Sequence, residues 1–134
     1  MAIEAEKAYE IGHLTASADL SGQQYRFVKL SGAGTVTVCA AATDKPIGVL
    51  QNKPLSGQPC TITVIGTTKL LTGAAVSANA IVGTDSAGKA APYVVGADTT
   101  KYLAGTALTA SAADGVVITA MINCSNPVRG ITGI

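Results

Sequence analysis

The stretch TDKPIGVLQNKPLSGQPCTITVIGTTKLL, residues 43–71, decides the fold, because short β-type runs alternate in it with Pro and Gly turns. Pro46 fixes its own φ and disfavours helix at Lys45, so Ile47-Gly48-Val49-Leu50 starts as an extended segment. Leu55-Ser56-Gly57-Gln58 supplies turn chemistry. From Cys60 the chain alternates, with Cys60, Ile62 and Val64 on one side and Thr61, Thr63 and Ile65 on the other, and its β-branched residues suit a pleated surface. Gly66 is expected to close the run. Nothing in this stretch is a nucleophile paired with a base, so it reads as a construction element.

Working outward, residues 25–30 alternate, Ser31-Gly32-Ala33-Gly34 turns, and residues 35–40 return, which predicts an antiparallel hairpin. Downstream, residues 74–82 form a small-residue segment and residues 83–88 (GTDSAG) a turn cluster. Residues 89–95 and 102–108 read as strands, the latter paired with residues 116–122 across a small polar stretch. IGVLQNKPLSGQPCTITVI and AGTALTASAADGVVITAMI echo each other, and the echo reads as a recurring hairpin, since a solenoid needs at least three units at a fixed period. Strands spaced by about 8–12 residues with turns between them predict an all-β chain, an antiparallel β-sandwich of jelly-roll type or a short β-barrel. The domain division expected is a β-domain over residues 14–122 flanked by extended arms at residues 1–13 and 123–134.

Composition narrows the function classes. A chain of 134 residues suits one domain and can bury roughly two thirds of its unfolded surface. Hydrophobic residues are 48% but aromatics only 4%, so the core must be built from Ala, Val, Ile and Leu. Charged residues are 13%, about half the usual share, which leaves little repulsion against association. A net charge of +1, with Lys and Arg scattered, argues against nucleic-acid binding, which needs a concentrated basic face. Every apolar run is interrupted well short of about 18 residues, which argues against a membrane span. The amino-terminal MAIEAEKAYEIG carries acidic residues and no apolar core, unlike a signal peptide.

Catalytic and metal constellations are sparse. His13 is the single imidazole, and no Gly-x-Ser-x-Gly elbow accompanies it, so it reads as a surface or arm residue. The glycines at 32 and 34 lack the Lys-Ser/Thr ending of a phosphate loop. Asp85, Asp98 and Asp114 sit in turn contexts without calcium-loop spacing, so they read as turn formers. Cys39, Cys60 and Cys124 have no Cys-x-x-Cys partner and read as three reduced core thiols, with one disulfide plus a leftover thiol as the oxidised alternative. No catalytic residue, metal ligand or cofactor site is assigned, and an enzyme is not expected.

The pieces ATDKPIGVLQNKPLSGQ, VIGTTKLL, AVSANAIVGTDSAGKAAP and YLAGTALTASAADGVVITAMI, taken in order, resemble the phage head decoration proteins called capsid cement proteins. The resemblance covers roughly residues 14–122. It implies a small β-protein, made in the bacterial host cytoplasm, that binds the outer surface of an assembled head. Its partners would be the major capsid protein and itself, as a homodimer or homotrimer, and it would stabilise the shell against internal DNA pressure. The contact residues expected are Glu4, Tyr9 and His13 from the first arm, Tyr93 from the domain, and Val128, Arg129 and Ile131 from the second arm. The alternative is an adhesion module binding a host sugar or protein, although the absence of Trp leaves few aromatic platforms for a sugar.

Overall fold

The computed structural model describes residues 8–126 and 128–129 and is all-β. Eleven strands follow in chain order: β1 Tyr9–Ala16, β2 Phe27–Gly32, β3 Thr35–Val38, β4 Gly48–Leu50, β5 Pro59–Leu71, β6 Ile81–Thr84, β7 Ala90–Pro92, β8 Tyr102–Leu103, β9 Gly105–Ala107, β10 Val117–Asn123 and β11 Val128–Arg129. Nine form one sheet in the order β1-β3-β2-β4-β5-β10-β9-β6-β7, and β1 also pairs with β5.

That extra pairing closes a ring. β1, β3, β2, β4 and the first half of β5 form a small five-stranded barrel. The second half of β5 pairs with β10, and the ladder continues through β9 and β6 to β7. Just past β5, Thr72 bridges Ala90 of β7, and the Gly73 amide donates to the Ala90 carbonyl at 2.9 Å, closing a second ring. A closed ring with an odd number of strands cannot alternate direction throughout. Each ring therefore contains a parallel junction, β1 with β3 in the first and Thr72 with Ala90 in the second. The all-β reading holds, and the expected antiparallel pairing is departed from at these two junctions.

The two interiors are distinct. Val28, Val36, Leu50, Cys60 and Ile62 fill the first ring with Ala16 and Leu20. Leu70, Val76, Val82, Ile118 and Ile122 fill the second, joined by Phe27, Cys39 and Val49 from the outer face of the first. Adjacent residues Phe27 and Val28, like Val49 and Leu50, thus enter opposite cores, because successive side chains of a strand point to opposite faces. The start of β2, at Phe27 and Val28, and the whole of β4 are buried on both sides and form the wall between the rings.

β5 does not stop at Gly66. Tyr9 faces Ile65 while Glu10 faces Thr63, so one residue of β5 is extra at this point, a bulge that increases bend and twist. Gly66 follows with φ 128°, a conformation side-chain-bearing residues avoid. The pair redirects the strand into its second set of partners, and its alternation runs on to Leu71. Other boundaries moved too. β6 arises inside the segment read as small residues and turn, leaving residues 85–88 as the turn proper, and the strand expected at 102–108 is divided into β8 and β9 by buried Ala104. The two echoing segments both fold as antiparallel hairpins, β4–β5 in the first ring and β9–β10 in the second. β1 begins at Tyr9, inside the stretch assigned to the first arm, and residues 1–7 lie outside the described residues.

Candidate functional site

The outer face of the second ring carries an open groove of about 460 Å³ along β5, β10 and β9. Alternation on β10 buries Ile118, Ala120 and Ile122 and turns Val117, Thr119, Met121 and Asn123 outward. Asn123 pairs with Ile65, and Met121 pairs with both Thr67 and Thr106, so Ile65, Thr67, Met121, Asn123 and Thr106 share one face and line the groove. Met121 is 52% exposed in its centre. Gly66 and Gly105 flank Ile122 on either side. A Cβ on Gly105 would press on the Met121 carbonyl oxygen, so glycine is what lets β9 lie this close to β10. The groove is apolar with a hydroxyl and amide rim.

The contact residues expected from sequence fall on different elements. Tyr9 heads β1 at 73% exposure, and His13 is exposed on the same strand. Tyr93 is only 8% exposed, and its hydroxyl is engaged by the Asp98 carbonyl, so the outward positions of that segment are its neighbours Val94 and Val95. Val128 and Arg129 are exposed on β11, which pairs with β8 and sets the Arg129 guanidinium 5.7 Å from the Tyr102 ring centre. Glu4 and Ile131 lie outside the described residues. Among the described ones only Tyr9 adjoins the groove, through its pairing with Ile65. The remaining groove residues escaped the sequence reading, since Thr, Asn and Met on a strand carry no chemical signature. The available signal was the two glycines flanking one β-branched strand.

Four aspartates are engaged by backbone amides or lysines. Asp85 accepts the amides of Ala87 and Lys89 at 2.8 and 2.9 Å, and Asp98 accepts the Val94 amide at 2.7 Å, the turn roles expected of them. That amide, and then Lys101, hold the Asp98 carboxyl below the usual carboxylate range. Lys29 contacts Asp44 at 2.8 Å, and this bond, with the Ala40 and Ala41 amides, lowers the Asp44 carboxyl. Asp114, the third turn aspartate, meets Lys89 at 3.1 Å. All three cysteines are free and buried. Burial pushes the thiols of Cys39 and Cys124 up to about 12, assisted by Asp44 at the first and by Cys39 itself at the second. Among the described residues no three His, Cys, Asp or Glu side chains converge as a metal site would require, and no helix is long and apolar enough to cross a membrane.

The fold has a counterpart among solved structures. The crystal structure of the head fiber gp8.5 N base in bacteriophage phi29 aligns with a TM-score of 0.62 at 16% identity, over 91% of this chain and 98% of that one. The fold is similar to that of the phi29 head-fiber base. No family model and no curated protein sequence matches the chain. At 16% identity the phi29 base shares architecture, and the side chains of the groove are this chain's own.

Proposed function

We propose that this chain is a non-enzymatic structural component of a phage particle, a decoration protein that binds the outer surface of the assembled head across neighbouring major capsid subunits. The observation that carries this reading is the fold shared with a phage head-fiber base over nearly the full length of both chains. A surface low in charge, with Leu30, Leu55, Val94, Val95, Met121 and Val128 exposed, favours association. Assembly as a homodimer or homotrimer would multiply such contacts. Linked sites gain roughly 10²- to 10⁴-fold in avidity once the first engages, and a protein that binds only the assembled shell stabilises that shell by mass action. Internal DNA pressure would then have to break several contacts together.

The test is to incubate the purified chain with undecorated mature heads. Saturable binding with a higher temperature of DNA release supports the reading. Absence of saturable binding, or binding that leaves heat release unchanged, overturns it. Attachment of the isolated chain to intact host cells, without attachment to heads, would favour adhesion instead.

A further inference from the structure

We propose that the turn at residues 94–97 of one copy seats in the groove between β5 and β9 of a second copy, with Val94 and Val95 packed on Met121. This contact supplies a surface for the self-association proposed above; it rests on that part of the reading and needs no head.

The turn is a preformed apolar projection. Val95 is 75% exposed, the most of any large apolar side chain among the described residues, and its neighbour Val94 is 56% exposed. The Asp98 carboxylate accepts the Val94 amide at 2.7 Å, and the Val94 carbonyl accepts the Ala97 and Asp98 amides at 3.1 and 2.9 Å. Beneath it Tyr93 is buried and donates its amide to the Ile81 carbonyl at 2.7 Å, while Lys101 pairs with Asp98 at 3.1 Å. A turn pinned in this way has little left to order on docking, so the entropy cost of binding through it is small.

The groove complements it in shape and charge. Where the turn is convex the groove is concave, and none of its eight lining residues is charged. Residues 94–97 (Val-Val-Gly-Ala) carry no charge either, so no ion is desolvated when the two meet. Met121 in the centre is a flexible thioether that adapts to what packs on it. The volume lies within the range of about 300–1,000 Å³ typical of sites that hold a small ligand, which gives room for two isopropyl groups.

Position assigns the turn to another copy. Neither valine lines the groove of its own chain, and both are exposed. Ile81, which anchors Tyr93, pairs with Thr106 on the groove wall, so the turn is rooted two strand spacings, about 10 Å, from β9. With the giving and receiving surfaces this close, copies related by a symmetry axis between them each give a turn and accept one, and the assembly closes. Packing two groove faces directly on each other would instead carry Lys69 of both copies, exposed and seated over the Tyr25 ring at 5.8 Å, into one contact. Four turn residues and eight groove residues are about half of the 20–30 that a standard interface takes from each side, so the association is weak, with a dissociation constant above about 10 µM.

The test is sedimentation equilibrium of the full chain, without heads, from about 5 to 500 µM, a span set by that weak contact. The unsubstituted protein should pass from monomer to a closed dimer or trimer. Val95→Lys and Met121→Asp, each placing a charge in the contact, should each raise the dissociation constant at least about tenfold. The two together should bring it back to within about threefold of the starting value, since lysine then meets aspartate across the contact. Ser56→Lys, exposed on the first ring, should change nothing. Circular dichroism checks that every variant is folded. A chain that stays monomeric at the top concentration overturns both the contact and the self-association reading. Association that survives Val95→Lys and Met121→Asp overturns the contact alone and leaves self-association to another surface. Failure of the double variant to recover overturns the contact as well. Head binding, measured separately on the same variants, leaves each of these results where it stands.

Discussion

Replacing Phe27 by Ala should test whether the two rings are one cooperative object. Phe27 lies on a strand of the first ring, yet its fully buried ring belongs to the core of the second. Its amide donates to the Gly88 carbonyl at 2.7 Å, in the turn between β6 and β7, and its carbonyl accepts the Cys39 amide at 3.0 Å. These backbone bonds survive in Phe27→Ala, so the change removes the ring and little else. Truncating a buried Phe to Ala costs about 3–5 kcal/mol, the lost transfer energy plus the cavity left behind. The upper part of that range is expected, because Phe27 pairs with fully buried Val49 on a wall packed from both sides and the site cannot collapse easily. At about 1.4 kcal/mol per tenfold, the unfolding constant rises between roughly 100-fold and several thousand-fold. With a slope of about 2 kcal/mol/M, the urea midpoint should fall by about 1.5–2.5 M. Unfolding followed by far-ultraviolet circular dichroism and by tyrosine fluorescence should stay a single coincident transition. A loss below about 1 kcal/mol, or two separated transitions of which one is unmoved, would refute the idea that the double-faced wall welds the rings.

Gly105→Ala should destabilise by about 1–3 kcal/mol, since its new methyl meets backbone of β10 that cannot swing aside, while Gly22→Ala, built into open space, should stay within about 0.5 kcal/mol. Asp44 has its folded-state pKa depressed, so its contribution is complete above the unfolded value near 3.9 and fades as pH falls through the lower folded value. Asp44→Asn should accordingly flatten the acid limb of the stability curve, as read from urea titrations between pH 2 and 5. The thiols of Cys39 and Cys124 run the other way. With folded values near 12, they favour the native state fully below about pH 8.5 and progressively less toward pH 12, so Cys39→Ala and Cys124→Ala should each reduce the alkaline loss. The native protein should leave all three cysteines unmodified by a thiol reagent over minutes, and all three should react after unfolding.

What the sequence conveyed was local. Pro46, the turn at residues 55–58 and the β-branched run from Cys60 placed β4 and β5, and Gly32 and Gly34 placed the β2–β3 hairpin, because each signal acts within a few residues of its cause. Closure was not legible. Whether β1 returns to β5, or Thr72 meets Ala90, depends on partners far apart in sequence, and no residue marks such a pairing in advance. Gly66 was misread for the same reason. A lone glycine ends a strand when no partner waits beyond it, and bends one when a second ladder, here β10, takes over. The groove was illegible because its walls come from three strands whose residues become a surface only through register.

The continuity of β5 also governs how the molecule would carry load. Its first half is fastened edge to edge in one barrel and its second half in the other, so tension applied along β5 passes between the two barrels through one covalent backbone, beside the packed wall they share. Hydrogen bonds on both flanks are then loaded in shear, many at once, instead of being peeled open one after another. A body strung in this way resists stretching along one axis far more than bending about the bulge, and its stiffest direction is the axis of that shared strand.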